Sequence, residues 1–240
     1  MYLVPLILFA FVGALLSGFL GMVGGVLLLG VMLLVGMGTS IAIPVHAVVQ
    51  LIANGSRVFA LRRHIRWKPF LIYFVASLPF PWLGFRIVEI LPEEALRLLI
   101  GAIILFVLLG PKRGLSRIPE TPAFAIAGVL GGTFGVVVGA FGPVIALFVL
   151  REGWDRREVI ATQAVCQTWG HLQKILFFAW AGFAFLDYQT LILPMAAVTI
   201  LGTYAGRYIL GKLDEAQFRW LYRIVLALLA IRLLLSPVWN

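Results

Sequence analysis

The chain has 240 residues, of which 62% are hydrophobic and 12% charged, against about half and a quarter in a soluble domain. That balance excludes a water-soluble globular domain, and the expected class is an all-α polytopic membrane protein. The formal charge of +9 points to topology and lipid headgroups, with no nucleic-acid partner, because Lys and Arg lie in short loops.

Residues 2–35 form one apolar run with a glycine-rich centre that includes Gly13, Gly18, Gly21, Gly24, Gly25 and Gly30. The run is long for one span of roughly 20 residues and short for two. Two short helices meeting at a glycine bend, a re-entrant hairpin, are expected. The first Lys or Arg is Arg57, so no cleavable signal peptide is expected at the start. Residues 36–40 read as a turn with Ser40 as N-cap. A helix over 41–61 follows, with Pro44 in its first turn. The basic loop Arg62, Arg63, His64, Arg66, Lys68 leads to a span over 69–88, kinked at Pro79 and Pro81. Pro92, Glu93 and Glu94 open a helix that runs to Leu109.

The proline-rich stretch 111–122 is the expected cytoplasmic linker between a first repeat, 1–110, and a second, 123–240. The second repeat opens with an apolar, glycine-rich run over 123–150, broken at Pro143. A helix over about 158–179 and a span over 187–210 follow. Then LDEAQFRWLYR matches LPEEALRLLIG, with Leu213 on Leu91 and Arg219 on Arg97. The expectation is two homologous four-element halves, each a glycine-rich re-entrant hairpin plus three spans. Tryptophans such as Trp67, Trp82, Trp154 and Trp239 are expected in interfacial belts.

The helix over 41–61 carries His46, Gln50, Asn54 and Arg57 at helical spacing, so they form one polar stripe. The helix over 158–179 repeats it with Gln163, Gln167, His171 and Lys174. One offset of 117 residues, from His46 to Gln163, maps all four positions. The loop after the first striped helix is strongly basic, and the loop after the second, 179–187, has no Lys or Arg. Basic loops stay cytoplasmic, so the halves are expected to be inverted. Eight full spans with parallel halves are the rival.

Inverted repeats, broken helices and polar groups at mid-membrane point to a secondary transporter. A helix broken inside the bilayer presents free N–H donors and a positive dipole end, which favour an anion. Gly24, Gly25, Gly139 and Gly142 let backbone approach a ligand, and Gln50, Asn54, Gln167 and His171 add polar contacts. Arg57 and Lys174 near helix ends would draw anions inward. His46 and His171 are candidate proton carriers. No carboxylate lies within either stripe. No paired carboxylates, nucleophile–base pair or metal-ligand spacing is evident, so neither an enzyme nor a cofactor is expected. Cys166, the single cysteine, reads as a packing residue.

The glycine-rich segments GALLSGFLGMVGGVLLL (13–29) and GVLGGTFGVVVGAFGPVIAL (128–147), each followed by a polar helix, resemble the TauE/SafE family, also called the toluenesulfonate uptake permeases. The ordered pair and the GxxGR-like segment from Gly202 to Arg207 extend the likeness over almost the whole chain. The resemblance implies a bacterial or archaeal inner-membrane permease for sulfite, a sulfonate or a related small anion. An anion channel and an assembly subunit of a membrane complex remain alternatives. A homodimer is compatible with the sequence, though no motif specifies one.

Overall fold

The computed structural model of the chain describes residues 3–20, 24–109, 115–139 and 141–209, with positions 224, 227, 231, 234 and 235. Among these residues there are helices and no strands. The first apolar run divides into two helices, α1 (Leu3–Leu20) and α2 (Gly24–Leu34). The striped helix α3 is Thr39–Leu61. It begins two residues before the expected start, with Gly38 as N-cap and no side-chain cap. Ser40, expected as the cap, lies inside the first turn, and Pro44 falls one turn further in. The orphan donor at Thr39 is met instead from outside the helix, by Glu93 Oε1 at 3.3 Å.

The next span is a bent pair, α4 (Trp67–Ser77) and α5 (Phe80–Ile90), at 51°. Proline explains the bend. Pro79 cannot donate to Val75, and the Leu78 N–H takes that carbonyl at 3.3 Å. Pro81 leaves the Ser77 carbonyl without its helical donor, and Gln173 Nε2 supplies one at 3.2 Å. Trp169 Nε1 donates to Ser77 Oγ at 2.9 Å, so a distant helix clamps the kink. Gln173→Leu is expected to lower stability by about 1–3 kcal/mol, the cost of an unmet buried carbonyl. A thermal melt in detergent that leaves the variant at the wild-type temperature would show that the clamp carries no weight.

Then come α6 (Glu93–Leu109), α7 (Glu120–Val138), α8 (Gly142–Val149), α9 (Arg156–Trp180) and α10 (Gln189–Ile209). The second glycine-rich run thus divides after Val138 and resumes as a helix at Gly142, just ahead of Pro143, with Gly139 at φ +74°. The other striped helix, α9, starts at Arg156 on a capping box. Asp155 Oδ1 accepts from the Glu158 N–H at 2.8 Å and the Glu158 carboxylate accepts from the Asp155 N–H at 3.1 Å. The bond from the Glu158 backbone N–H holds the Asp155 carboxyl below its ordinary value. The match of 213–219 to 91–97, the end of the last helix and Trp239 lie outside the described residues. Trp67 and Trp82 are about half exposed, and Trp154 stacks on Phe124.

Among the described residues three helices, over Thr39–His64, Glu120–Val138 and Phe185–Gly206, are long and apolar enough to cross a bilayer, and the bent pair makes a fourth candidate. Helix α9 is long enough at 25 residues but too polar to qualify. Its polar face is shielded by α3, which it packs along. Hairpin α1–α2 packs on α10, and α7 packs on α4 and α5. Gly202 lies on the Phe11 carbonyl and Gly206 on that of Leu15, while Gly84 lies on that of Thr133. Both contacts run parallel, and both rest on backbone brought close through glycine.

Candidate functional site

The two striped helices run antiparallel. At one end the Arg66 N–H donates to Thr162 Oγ1 at 3.0 Å, and Arg66 Nη2 pairs with Glu158 Oε1 at 2.7 Å. Ile65 packs there with Ala161 and Val165. Midway along, the rings of His46 and His171 meet edge to face, with centroids 5.8 Å apart. The stripes therefore face each other, and all eight of their side chains are buried. The same sequence pattern that put polar groups on one face of each helix puts those faces together, away from lipid.

Each stripe grips one helix break. At the first, His46 Nε2 donates to the Gly25 carbonyl at 2.8 Å. The carbonyl can only accept, so a neutral ring carries its proton on Nε2 and its buried Nδ1 has no partner. The Gln50 amide lies against the bare face of Gly25. The Asn54 amide donates to the Gln50 carbonyl at 2.8 Å, and Arg57 Nη2 donates to Asn54 Oδ1. Arg57 Nη1 reaches the Ser17 carbonyl at 3.4 Å, near the end of α1. At the second break, Gln163 Nε2 donates to the Gly142 carbonyl at 2.9 Å. The Gln167 amide lies against Gly142, and its Nε2 is buried without a partner. Lys174 Nζ donates to the Gly139 carbonyl, which caps α7.

The two breaks match position by position. Gly25 and His46 are 21 residues apart, as are Gly142 and Gln163. In each, a basic side chain sits where the first half-helix ends, and a glutamine sits where the second begins. Cations at helix C-termini and electron-rich ligands at N-termini are the arrangement that helix dipoles favour. No Asp or Glu is buried among the described residues, so the paired breaks form a cationic, donor-rich region. No cluster of His, Cys, Asp or Glu there has the makings of a metal site among the described residues.

Two expected residues do other work. Gly24 turns its bare face to Gly13 in α1, and its N–H donates to Ser17 Oγ at 2.7 Å. That donor is spent inside the hairpin. Asn54 is likewise held within α3, between Gln50 and Arg57. Ser17 and Gln163 are additions that the pattern half-signalled. Ser17 stands in the first glycine motif, and Gln163 is the repeat partner of His46.

A family-wide sequence profile described as "Sulfite exporter TauE/SafE" matches residues 6–233. The chain belongs to the TauE/SafE family. The matched range includes both stripes and both helix breaks, so the paired site lies wholly within it. Membership, together with the long apolar helices, makes this TauE/SafE protein a multi-pass membrane protein of a transporter family. No curated protein and no solved structure matches the chain.

Proposed function

We propose that this chain is a secondary carrier for a small sulfur-containing anion, such as sulfite or an organosulfonate, in a bacterial or archaeal cytoplasmic membrane. The observation that carries the reading is the pair of helix breaks facing each other across antiparallel α3 and α9. It offers amide donors and two basic side chains, Arg57 and Lys174, with no buried carboxylate among the described residues. Such a region suits an oxyanion and disfavours a cation.

Alternating access follows from two halves, 1–110 and 123–240, related by an inverted repeat through the linker 111–122. The antiparallel run of the equivalent helices α3 and α9 supports the inversion. So does the reciprocal packing of each hairpin on a span from the other half. Charge supports the orientation. Arg66 bonds α9 at Glu158, and Arg151 Nη2 donates to the Ile118 carbonyl at 2.7 Å. This gathers the basic loops around 62–68, 117 and 151–157 at one end, which the positive-inside bias assigns to the cytoplasm. At the other end, Arg86 and Arg97 are each paired with a glutamate. A reporter fused after Gly182 is expected to read as external, and a cytoplasmic signal would overturn the inverted arrangement.

The carrier is tested in proteoliposomes loaded with unlabelled sulfite. Labelled sulfite is expected to enter faster than into empty vesicles, because a carrier returns loaded. Flux indifferent to internal sulfite would indicate a channel. No sulfite flux would favour an assembly subunit.

A further inference from the structure

We propose that Lys174 is the proton-carrying group of this site, so that an anion and a proton cross together. The inference rests on the carrier reading and adds its coupling ion and the residue responsible. Lys174 is 2% exposed and its amine donates to the Gly139 carbonyl at the end of α7. The groups that share the buried region are His46 and Arg57 on α3 and His171 on α9. The amides of Gln50, Asn54 and Gln167 complete it. No carboxylate is buried among the described residues, so none of them balances a second cation there.

An isolated ammonium in such surroundings is costly, and lysine relieves the cost by shedding a proton. Its amine still donates to Gly139 when neutral, so the loss leaves that bond in place. Arg57 occupies the matching position at the other break but cannot let go of its proton. The imidazoles are intrinsically far weaker bases than an amine. Of the four basic groups, Lys174 is therefore the one that is protonated when a charge partner arrives and released when it leaves. An entering oxyanion supplies that charge, and a proton from water on the same side converts the amine to ammonium. When the anion departs on the far side, the ammonium returns its proton to water there. One anion and one proton have then crossed, and Lys174 is as it began.

The test counts protons against sulfite in proteoliposomes that hold a trapped pH indicator, with isotope exchange of sulfite measured in parallel. Wild-type protein is expected to move about one proton more per sulfite than Lys174→Arg, which keeps a permanent cation; the count is taken per sulfite moved, so it reads at whatever rate the variant exchanges. Bisulfite formation adds equally to both proteins and drops out of the difference. Equal proton counts with exchange intact would overturn the inference and leave the carrier standing. No exchange by wild-type protein would overturn both. Should Lys174→Arg not fold or not move sulfite, the double variant His46→Gln/His171→Gln carries the test. The wild-type proton count retained in it supports Lys174, and its loss moves the proton to the histidines.

Discussion

Gly24→Ala is expected to cost this protein its fold before it costs transport. A Cβ at that position would overlap the Gly13 carbonyl and crowd Ser17 Oγ. The obstacle is backbone, which cannot rotate away as a long side chain can. Helices α1 and α2 would have to separate, and the Gly24–Ser17 bond that closes the hairpin would go with them. Overpacking in a tight interior costs about 1–3 kcal/mol and occasionally more, and loss of the internal bond adds to it. The expected result is a fall in yield of monodisperse protein and a lower melting temperature in detergent. Gly55→Ala is the matched control. Its Cβ would meet nothing within 4 Å, and alanine favours a helix over glycine by about 1 kcal/mol. A Gly24→Ala protein that melts with wild type would mean that α1 and α2 do not touch as described.

The contrast between Gly24 and Gly25 shows where sequence reading stops. Both stand in the same motif, and both suit close backbone approach to a ligand. Neighbouring residues on a helix point about 100° apart, and nothing in the motif says which one faces α1 and which faces α3. The stripes were legible because period and chemistry coincide: polar side chains at helical spacing in an apolar segment need a shielded partner, and here each stripe shields the other. The offset of 117 residues tied His46 to Gln163 and Gln50 to Gln167 from sequence alone, and contacts to Gly25 and Gly142 at equal separations follow it. The clamp on the α4–α5 kink was not legible. Pro81 announces that the Ser77 carbonyl needs another donor, but the donor, Gln173, is 96 residues away. It sits beside Lys174, one position off the stripe. Ser40 misled as a cap because the preference for serine at that position is local, whereas α3 is capped through space by Glu93. Hydropathy alone would also pass over α9, whose polar face is paid for by α3 rather than by its own composition.

Gln167→Ala is expected to separate stability from transport. The Gln167 Nε2 is buried with no partner, against the start of α8. An unmet buried donor costs about 1–3 kcal/mol, so its removal is expected to leave the melting temperature unchanged or raised. The same donor bonded to an oxyanion contributes about 1.5–3 kcal/mol, so sulfite affinity is expected to fall by about tenfold to a hundredfold. A purely structural glutamine would behave the other way, lowering stability and leaving exchange intact. Gly142→Ala approaches the same point from the backbone side. Its Cβ would stand 2.8 Å from Gln167 Nε2, the free end of a flexible side chain. The fold can absorb that shift, but the amide is then pushed from the end of α8, and exchange is expected to fall with the melt unaltered. Loss of exchange in both variants at wild-type stability would place the anion between Gln167 and the α8 N-terminus. Intact exchange in both would remove the second break from the transport path and leave Gln50, against Gly25, as the donor to examine.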